Sequence, residues 1–145
     1  MSEAIKYTEE ILQGFKKKAD HNKNESLFCF TLILLSSLSA PLFITLGQGE
    51  WLSKIIPSIL SVLSAGLTSW LQLRKPQKLW SMYRTSQRLI EDNIIKCKFK
   101  IGDYKTHENP EDLLVERVGE IALNAHNEWV GVIPTPEILS LKEGH

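Results

Sequence analysis

Two long stretches without a charged residue dominate the hydrophobic pattern of this chain. Ser26–Leu46 contains 21 residues and Ile55–Leu73 contains 19. A helix rises about 1.5 Å per residue, so the shorter stretch is about 29 Å long and matches a hydrocarbon core of about 30 Å. The pattern predicts a transmembrane hairpin over residues 26–73, whose two spans, residues 26–46 and 55–73, are joined by Gly47–Lys54.

Two other interpretations of these stretches stay open. They could be buried helices of a soluble bundle, although core helices of this length usually carry charges on a polar face. The first stretch could instead be a cleaved signal peptide, with the small residues Ser37 and Ser39 near its exit. The charged segment ahead of it is longer than a usual n-region, however. The membrane hairpin is therefore the favoured interpretation.

Basic residues lie almost entirely at one end of the predicted hairpin. Nine basic residues lie near the outer ends of the spans: Lys16, Lys17, Lys18, Lys23, Arg74, Lys75, Lys78, Arg84 and Arg88. The connection carries only Lys54. Because loops rich in Lys and Arg stay in the cytoplasm, we expect a multi-pass protein of the cell inner membrane. Both termini would lie in the cytoplasm, and membrane lipid would be a partner.

The second span has two contrasting faces. Small or polar residues recur at spacings of three and four along one face, the polar stripe: Ser58, Ser61, Ala65, Thr68 and Gln72. The opposite face, expected to meet lipid, is apolar: Ile56, Leu60, Leu63, Leu67 and Leu71. The polar stripe either packs closely against another helix or lines a water-filled lumen in an assembly. Ser and Ala are generic interface residues, so the residue types favour packing.

Charged helices are predicted on both sides of the hairpin. Residues 1–25 form an N-terminal amphipathic helix, whose Lys16-Lys17-Lys18 either sets the topology or lies on anionic headgroups. Residues 74–133 form a helical hairpin that pairs antiparallel, with a stop at Gly102 and a new start at Asn109, which caps the last helix. Residues 134–145 are expected to be a flexible tail. No strand pattern occurs, so the predicted fold class is all-α.

Two faces of the predicted charged hairpin are apolar at helical spacing. The first helix carries Leu79, Tyr83, Ser86, Ile90, Ile94, Cys97 and Ile101. The second carries Leu114, Val118, Ile121, Ala125, Trp129 and Val132. These faces are expected to form the contact between the two helices.

Composition and motifs argue against several function classes. The formal net charge is zero, so no global electrostatic argument favours a nucleic-acid partner, and we expect none. Cys29 and Cys97 form no motif, as is usual in a reducing compartment. The four histidines show no metal-ligand spacing, and no phosphate-binding or nucleophile motif occurs. We therefore expect no enzyme activity, no metal and no cofactor.

The stretch after the second span resembles the SLATT superfamily of bacterial two-transmembrane effector domains. Trp80–Tyr104 reads WSMYRTSQRLIEDNIIKCKFKIGDY, and Glu116–Trp129 reads ERVGEIALNAHNEW. The matching positions are Trp80, Tyr83, Arg84, Glu91, Gly102, Tyr104, Glu128 and Trp129. The resemblance covers roughly Phe15–Trp129. Gln87 departs from it, since an acid is expected there, which weakens an ion pair at that position.

The resemblance implies an oligomeric, pore-forming or membrane-perturbing effector of a bacterial conflict system of anti-phage type. Its trigger would be a nucleotide-sensing or nucleotide-making partner, and the polar stripe would face a lumen. Contacts for oligomerisation or gating are then expected from Trp80, Tyr83, Arg84, Glu91, Tyr104 and Trp129. The alternative is a non-conducting membrane scaffold or regulatory subunit that docks a partner through its charged helices.

Overall fold

A computed structural model describes residues 2–133. Its five α-helices are α1 (Glu3–Leu46), α2 (Ile56–Arg74), α3 (Pro76–Phe99), α4 (Asp103–Thr106) and α5 (Pro110–Val132). A π-helical turn, Trp51–Ile55, precedes α2. No strand occurs within these residues, which confirms the all-α prediction. The tail expected at 134–145 lies outside the described residues.

The N-terminal amphipathic segment and the first apolar stretch form one helix. α1 is 44 residues long, which corresponds to about 66 Å. The predicted boundary near residue 25 is therefore not a helix end. Lys18 lies eight residues before Ser26, about 12 Å along the same axis. The segment that holds Lys16-Lys17-Lys18 is therefore a direct extension of the first span and not a separate amphipathic helix.

The connection of the hairpin is shorter than the sequence indicated. α1 ends at Leu46, and the N–H of Gly47 closes it by donating to the carbonyl of Phe43 at 2.9 Å. Helical structure resumes at Trp51, so half of the expected connection belongs to the second helical arm. The π-helical turn lies directly before Pro57. Proline has no backbone N–H to close the preceding turn of an α-helix, and a wider turn there is compatible with this missing donor.

The spans lie on the surface of the single chain. Both helical arms contain windows long and apolar enough to cross a membrane, and only 11% and 6% of those windows are buried. A core helix of a soluble bundle would be mostly buried, so that alternative does not fit. We call residues 26–73 the apolar hairpin, and the surrounding lipid covers its outer surface.

The remaining helices form the charged bundle, made of residues 3–25 of α1 together with α3, α4 and α5. α3 packs against both α1 and α5. The buried core comes from all of these elements: Phe15, Ala19, Leu79, Met82, Tyr83, Ile90, Ile94, Cys97, Tyr104, Leu114, Val118, Ala125 and Val132. The predicted antiparallel pair of α3 and α5 is present, but α1 adds a third helix that the sequence did not indicate.

The ends of α3 and α5 differ from their predictions in detail. α3 ends at Phe99, ahead of the expected stop, because Lys100 adopts a left-handed conformation with φ 50°. Ile101 consequently leaves the apolar face and is 51% exposed. α5 begins at Pro110 and Asn109 takes the N-cap position, both as predicted. The Asn109 side chain makes no capping hydrogen bond, however, and its amide Nδ2 donates to Asp112 Oδ2 at 2.7 Å instead.

Candidate functional site

The two arms of the apolar hairpin meet through leucines and one hydroxyl pair. Ser37 Oγ lies 3.0 Å from Ser64 Oγ, forming a hydrogen bond between α1 and α2. Ile56, Leu60, Leu67 and Leu71 are half-buried. They belong to the face that was expected to meet lipid, so that expectation is wrong for these four residues. A neighbouring helix shields them, because the face of α2 opposite the polar stripe lies partly against α1.

A polar groove of about 530 Å³ runs beside this contact. We call it the hydroxyl groove, and both arms line it: Ser36, Ser37, Ala40, Ser61, Ser64, Ala65, Thr68, Ser69 and Gln72. None of its lining residues carries a charge. The groove therefore offers hydroxyl and amide groups but no formal charge.

The hydroxyls of the polar stripe already donate within their own helix. Ser61 Oγ donates to the carbonyl of Pro57 at 2.8 Å, and Thr68 Oγ1 donates to that of Ser64 at 2.8 Å. Ser58 does the same with Lys54 at 2.7 Å. Each hydroxyl oxygen keeps lone pairs that can accept a further hydrogen bond. These side chains can consequently face either water or a neighbouring helix.

Four members of the predicted polar stripe line the hydroxyl groove: Ser61, Ala65, Thr68 and Gln72. Ser58 lies outside it. All five are exposed on the single chain, so packing between α1 and α2 does not bury them. The sequence reasoning missed the contribution of α1, although the run Ser36-Ser37 followed by Ala40 carried the same signal of small polar residues.

A cluster of polar side chains joins α1 to α2 where the spans end. The Glu25 carboxylate accepts a hydrogen bond from Trp70 Nε1 at 3.0 Å and lies 3.1 Å from Arg74 Nε. Its other oxygen lies 3.8 Å from His21 Nε2. The Arg74 guanidinium also lies 5.9 Å from the centre of the Trp70 ring. We call these four side chains the boundary clasp; the position of Glu25 directly before the first span was the available signal.

A second polar network crosses the charged bundle. Arg84 Nη2 donates to Asp20 Oδ1 at 2.9 Å, which ties α3 to α1. Arg84 Nη1 also donates to Gln87 Oε1 at 2.8 Å, and Gln87 Nε2 donates to Glu91 Oε1 at 2.7 Å. Gln87 is only 4% exposed. The amide therefore bridges a cation and an anion, and the ion pair expected from Arg84 forms with α1 instead.

The aromatic positions singled out by the resemblance serve mainly the interior of the charged bundle. Tyr83 packs against Phe15 with ring centroids 6.0 Å apart, and burial raises its pKa. Tyr104 is 1% exposed and donates to Asn93 Oδ1 at 2.8 Å. Both tyrosines are therefore buried within the single chain, and a role for them in oligomerisation or gating stays a prediction.

The two tryptophans in that set occupy different environments. Trp80 is half-buried, and its Nε1 is one of two buried side-chain atoms that lack a hydrogen-bond partner within residues 2–133. Trp129 is 36% exposed and stacks on His126 with ring centroids 5.9 Å apart. Trp129 therefore remains available for a contact outside the chain, whereas Trp80 faces the bundle.

Comparisons with known proteins agree with this architecture. The family model described as SMODS and SLOG-associating 2TM effector domain 1 matches residues 7–129. Neither a curated protein nor a solved structure matches the chain. The matched range contains both apolar stretches, the boundary clasp and the network around Arg84. The first stretch is thus part of the domain, which the signal-peptide alternative does not accommodate.

The family model matches most of the length of the chain, and the chain folds as a two-transmembrane helical hairpin joined to a charged helical bundle. The chain therefore belongs to the SMODS and SLOG-associating 2TM effector domain 1 family.

Proposed function

We propose that this chain is an oligomeric, pore-forming membrane effector of a bacterial conflict system, in which several hairpins surround a conducting path. The observation that carries the proposal is the open hydroxyl groove on the surface of the apolar hairpin. Lipid gains nothing from contact with hydroxyl and amide groups, whereas water or a second copy of the chain can hydrogen-bond to them. Assembly would remove the groove from lipid and turn it toward a lumen.

The distribution of basic residues supports an orientation for this effector. The charged bundle and both outer ends of the spans carry the basic residues, and the connection carries Lys54 alone. By the positive-inside rule, the bundle and both termini lie in the cytoplasm of a cell whose inner membrane holds the hairpin. The bundle then stands where a nucleotide-sensing or nucleotide-making partner of an anti-phage system could trigger opening.

Leak of a fluorophore from liposomes tests the conducting path. Ser61→Leu and Thr68→Leu should each abolish leak while leaving membrane insertion intact, because a leucine removes a hydroxyl from the groove and narrows it. Val62→Leu is the matched control, since Val62 is 73% exposed on the outer face of the same helix. Leak at the wild-type level from both groove variants would remove these residues from the path.

Subunit number gives an independent test of the same proposal. Two hairpins could hardly enclose a water-filled lumen, whereas a ring of five or more could. Measurement of the mass of the complex in lipid nanodiscs decides between these states. A stable dimer with no larger species would contradict the pore.

An exposed apolar tip of the charged bundle favours a second candidate, a non-conducting scaffold or regulatory subunit. Ile95, Phe99 and Ile101 are 52%, 74% and 51% exposed near the end of α3 that points away from the hairpin. A partner protein could cover them. This candidate predicts no conductance in planar bilayers. Changes at Tyr83, Arg84 or Trp129 would then abolish function, and changes at the polar stripe would not.

A further inference from the structure

A second groove, of about 650 Å³, opens on the charged bundle beside the end of α2. Five basic side chains from three helices line it: Lys17, Lys18, His21, Arg74 and His126. We call it the basic groove. No Asp or Glu side chain from residues 2–133 lines it. The groove is separate from the hydroxyl groove, and the resemblance assigns no role to its lysines.

The positive charge of the basic groove is only partly compensated. Glu25 reaches its rim, where it holds Arg74 Nε at 3.1 Å and His21 Nε2 at 3.8 Å. Lys17 and Lys18 form no ion pair in the described part of the chain. The Lys18 ammonium lies 5.6 Å from the centre of the Tyr83 ring, which leaves its donors free for an anion. Two lysine charges therefore remain available in one concave site.

The other walls of the groove offer contacts that a bare ion would not need. Tyr83 and the stacked pair of His126 and Trp129 provide apolar ring surface. Asn22 is 5% exposed, and its carbonyl oxygen Oδ1 is buried without a hydrogen-bond partner. Its amide nitrogen donates to the carbonyl of Lys18 at 2.8 Å, so the unpaired oxygen is an acceptor that lacks a donor. A hydroxyl or amino group would supply that donor.

We propose that the basic groove binds a phosphate-bearing anion that also carries a hydroxyl or amino group. Two sources share this chemistry: the headgroup of an anionic lipid and a soluble phosphate ester. Arg74 directly follows the second span, and Lys18 lies about 12 Å before the first, so the groove extends from the membrane boundary into the bundle. A bound anion would join α1 to α5 through lysine and histidine donors.

Titration of the full chain with glycerol phosphate, in an uncharged detergent, tests the soluble source. Binding measured by calorimetry should weaken about tenfold or more in Lys17→Gln/Lys18→Gln, which removes two charge-assisted contacts. The matched control is Lys23→Gln/Lys78→Gln. It removes the same charge near the membrane but outside the groove. This control should bind like the wild type.

Thermal unfolding in lipid nanodiscs tests the lipid source. Discs of phosphatidylcholine alone are compared with discs that also contain phosphatidylglycerol. If a headgroup fills the groove, phosphatidylglycerol should raise Tm of the wild type and of Lys23→Gln/Lys78→Gln, and raise it less in Lys17→Gln/Lys18→Gln. Circular dichroism establishes that each variant is folded, and His126→Gln replaces the double variant if that variant fails to fold.

Each result identifies a source or removes the proposal. If only the binding of glycerol phosphate differs between Lys17→Gln/Lys18→Gln and its control, the ligand of the groove is a soluble phosphate ester. If only the effect of phosphatidylglycerol differs between them, the ligand is a lipid headgroup. An effect in both arms assigns the shared chemistry. The proposal is overturned if neither arm separates the groove variant from its matched control, because the effect would then be general attraction between basic residues and anions.

Discussion

Trp70 Nε1 donates a hydrogen bond of 3.0 Å to Glu25 Oε1, which joins α1 and α2 at the point where both spans end. The same oxygen lies 3.1 Å from Arg74 Nε, one residue before the left-handed Lys75 that separates α2 from α3. The boundary clasp therefore fixes the apolar hairpin against the charged bundle. Any movement of the bundle that opens the hairpin has to break these contacts or carry them along.

Glu25→Gln should destabilise the chain by about 1 kcal/mol, because it removes the negative charge that Arg74 faces in a site where Glu25 is 17% exposed. Thermal unfolding in detergent measures the loss. Glu50→Gln is the control, since the Glu50 and Lys54 side chains are 83% and 72% exposed, and a pair so exposed contributes little. Equal effects of the two changes would show that the boundary clasp contributes no more than a surface ion pair.

Gln87→Glu should destabilise the charged bundle by about 1–3 kcal/mol, although the resemblance to the SLATT superfamily leads one to expect an acid there. The change places a carboxylate against Glu91 in a position that is 4% exposed. Adding Glu91→Gln restores a donor opposite the new carboxylate, so the double variant should recover most of the loss. Chemical unfolding of the wild type, the two single variants and the double variant measures the coupling free energy between positions 87 and 91. Additive effects would contradict the bridge seen at Gln87.

Stability should fall at alkaline pH, partly through Tyr104. Burial raises the pKa of its phenol above the ordinary value of about 10. The unfolded chain then loses this proton first, so the contribution of Tyr104 to the free energy of unfolding is constant below about pH 10 and decreases as the pH rises further. Tyr104→Phe removes this contribution and should show a shallower decrease, on top of a constant loss of about 1 kcal/mol from the bond to Asn93. Parallel pH profiles of the two proteins would disprove the contribution.

Lys100→Gly should stabilise the charged bundle by about 0.5–1 kcal/mol. Lys100 has φ 50°, a left-handed conformation that glycine adopts without strain, and its side chain is exposed. Lys98→Gly, two residues earlier within α3, is the contrasting variant and should destabilise the helix. Unfolding midpoints in denaturant show whether each of the two substitutions raises or lowers the stability. Destabilisation by Lys100→Gly would mean that the lysine side chain contributes more than the backbone conformation costs.

Local pattern was enough to predict the two apolar spans and the buried faces of the long charged helices. The sequence predicts membrane helices at Ser26–Leu46 and Ile55–Leu73, because an uncharged apolar helix of bilayer length is not stable when it is exposed to water. The apolar spacing from Leu79 to Cys97 likewise places the buried face of α3, and Pro110 marks the start of α5. These properties depend on residues close in sequence, so the chain alone determines them.

Contacts between distant residues required the tertiary structure. Asp20 meets Arg84 because α1 continues unbroken from the membrane into the charged bundle, and its apolar positions pack on α3. The same packing brings Glu25 to Trp70, sets Ser37 beside Ser64, and gathers Lys18 with His126 around one groove. Helical periodicity states which residues share a face but not which helix that face meets. Only the packing of α1 against α2, α3 and α5 decided these sites.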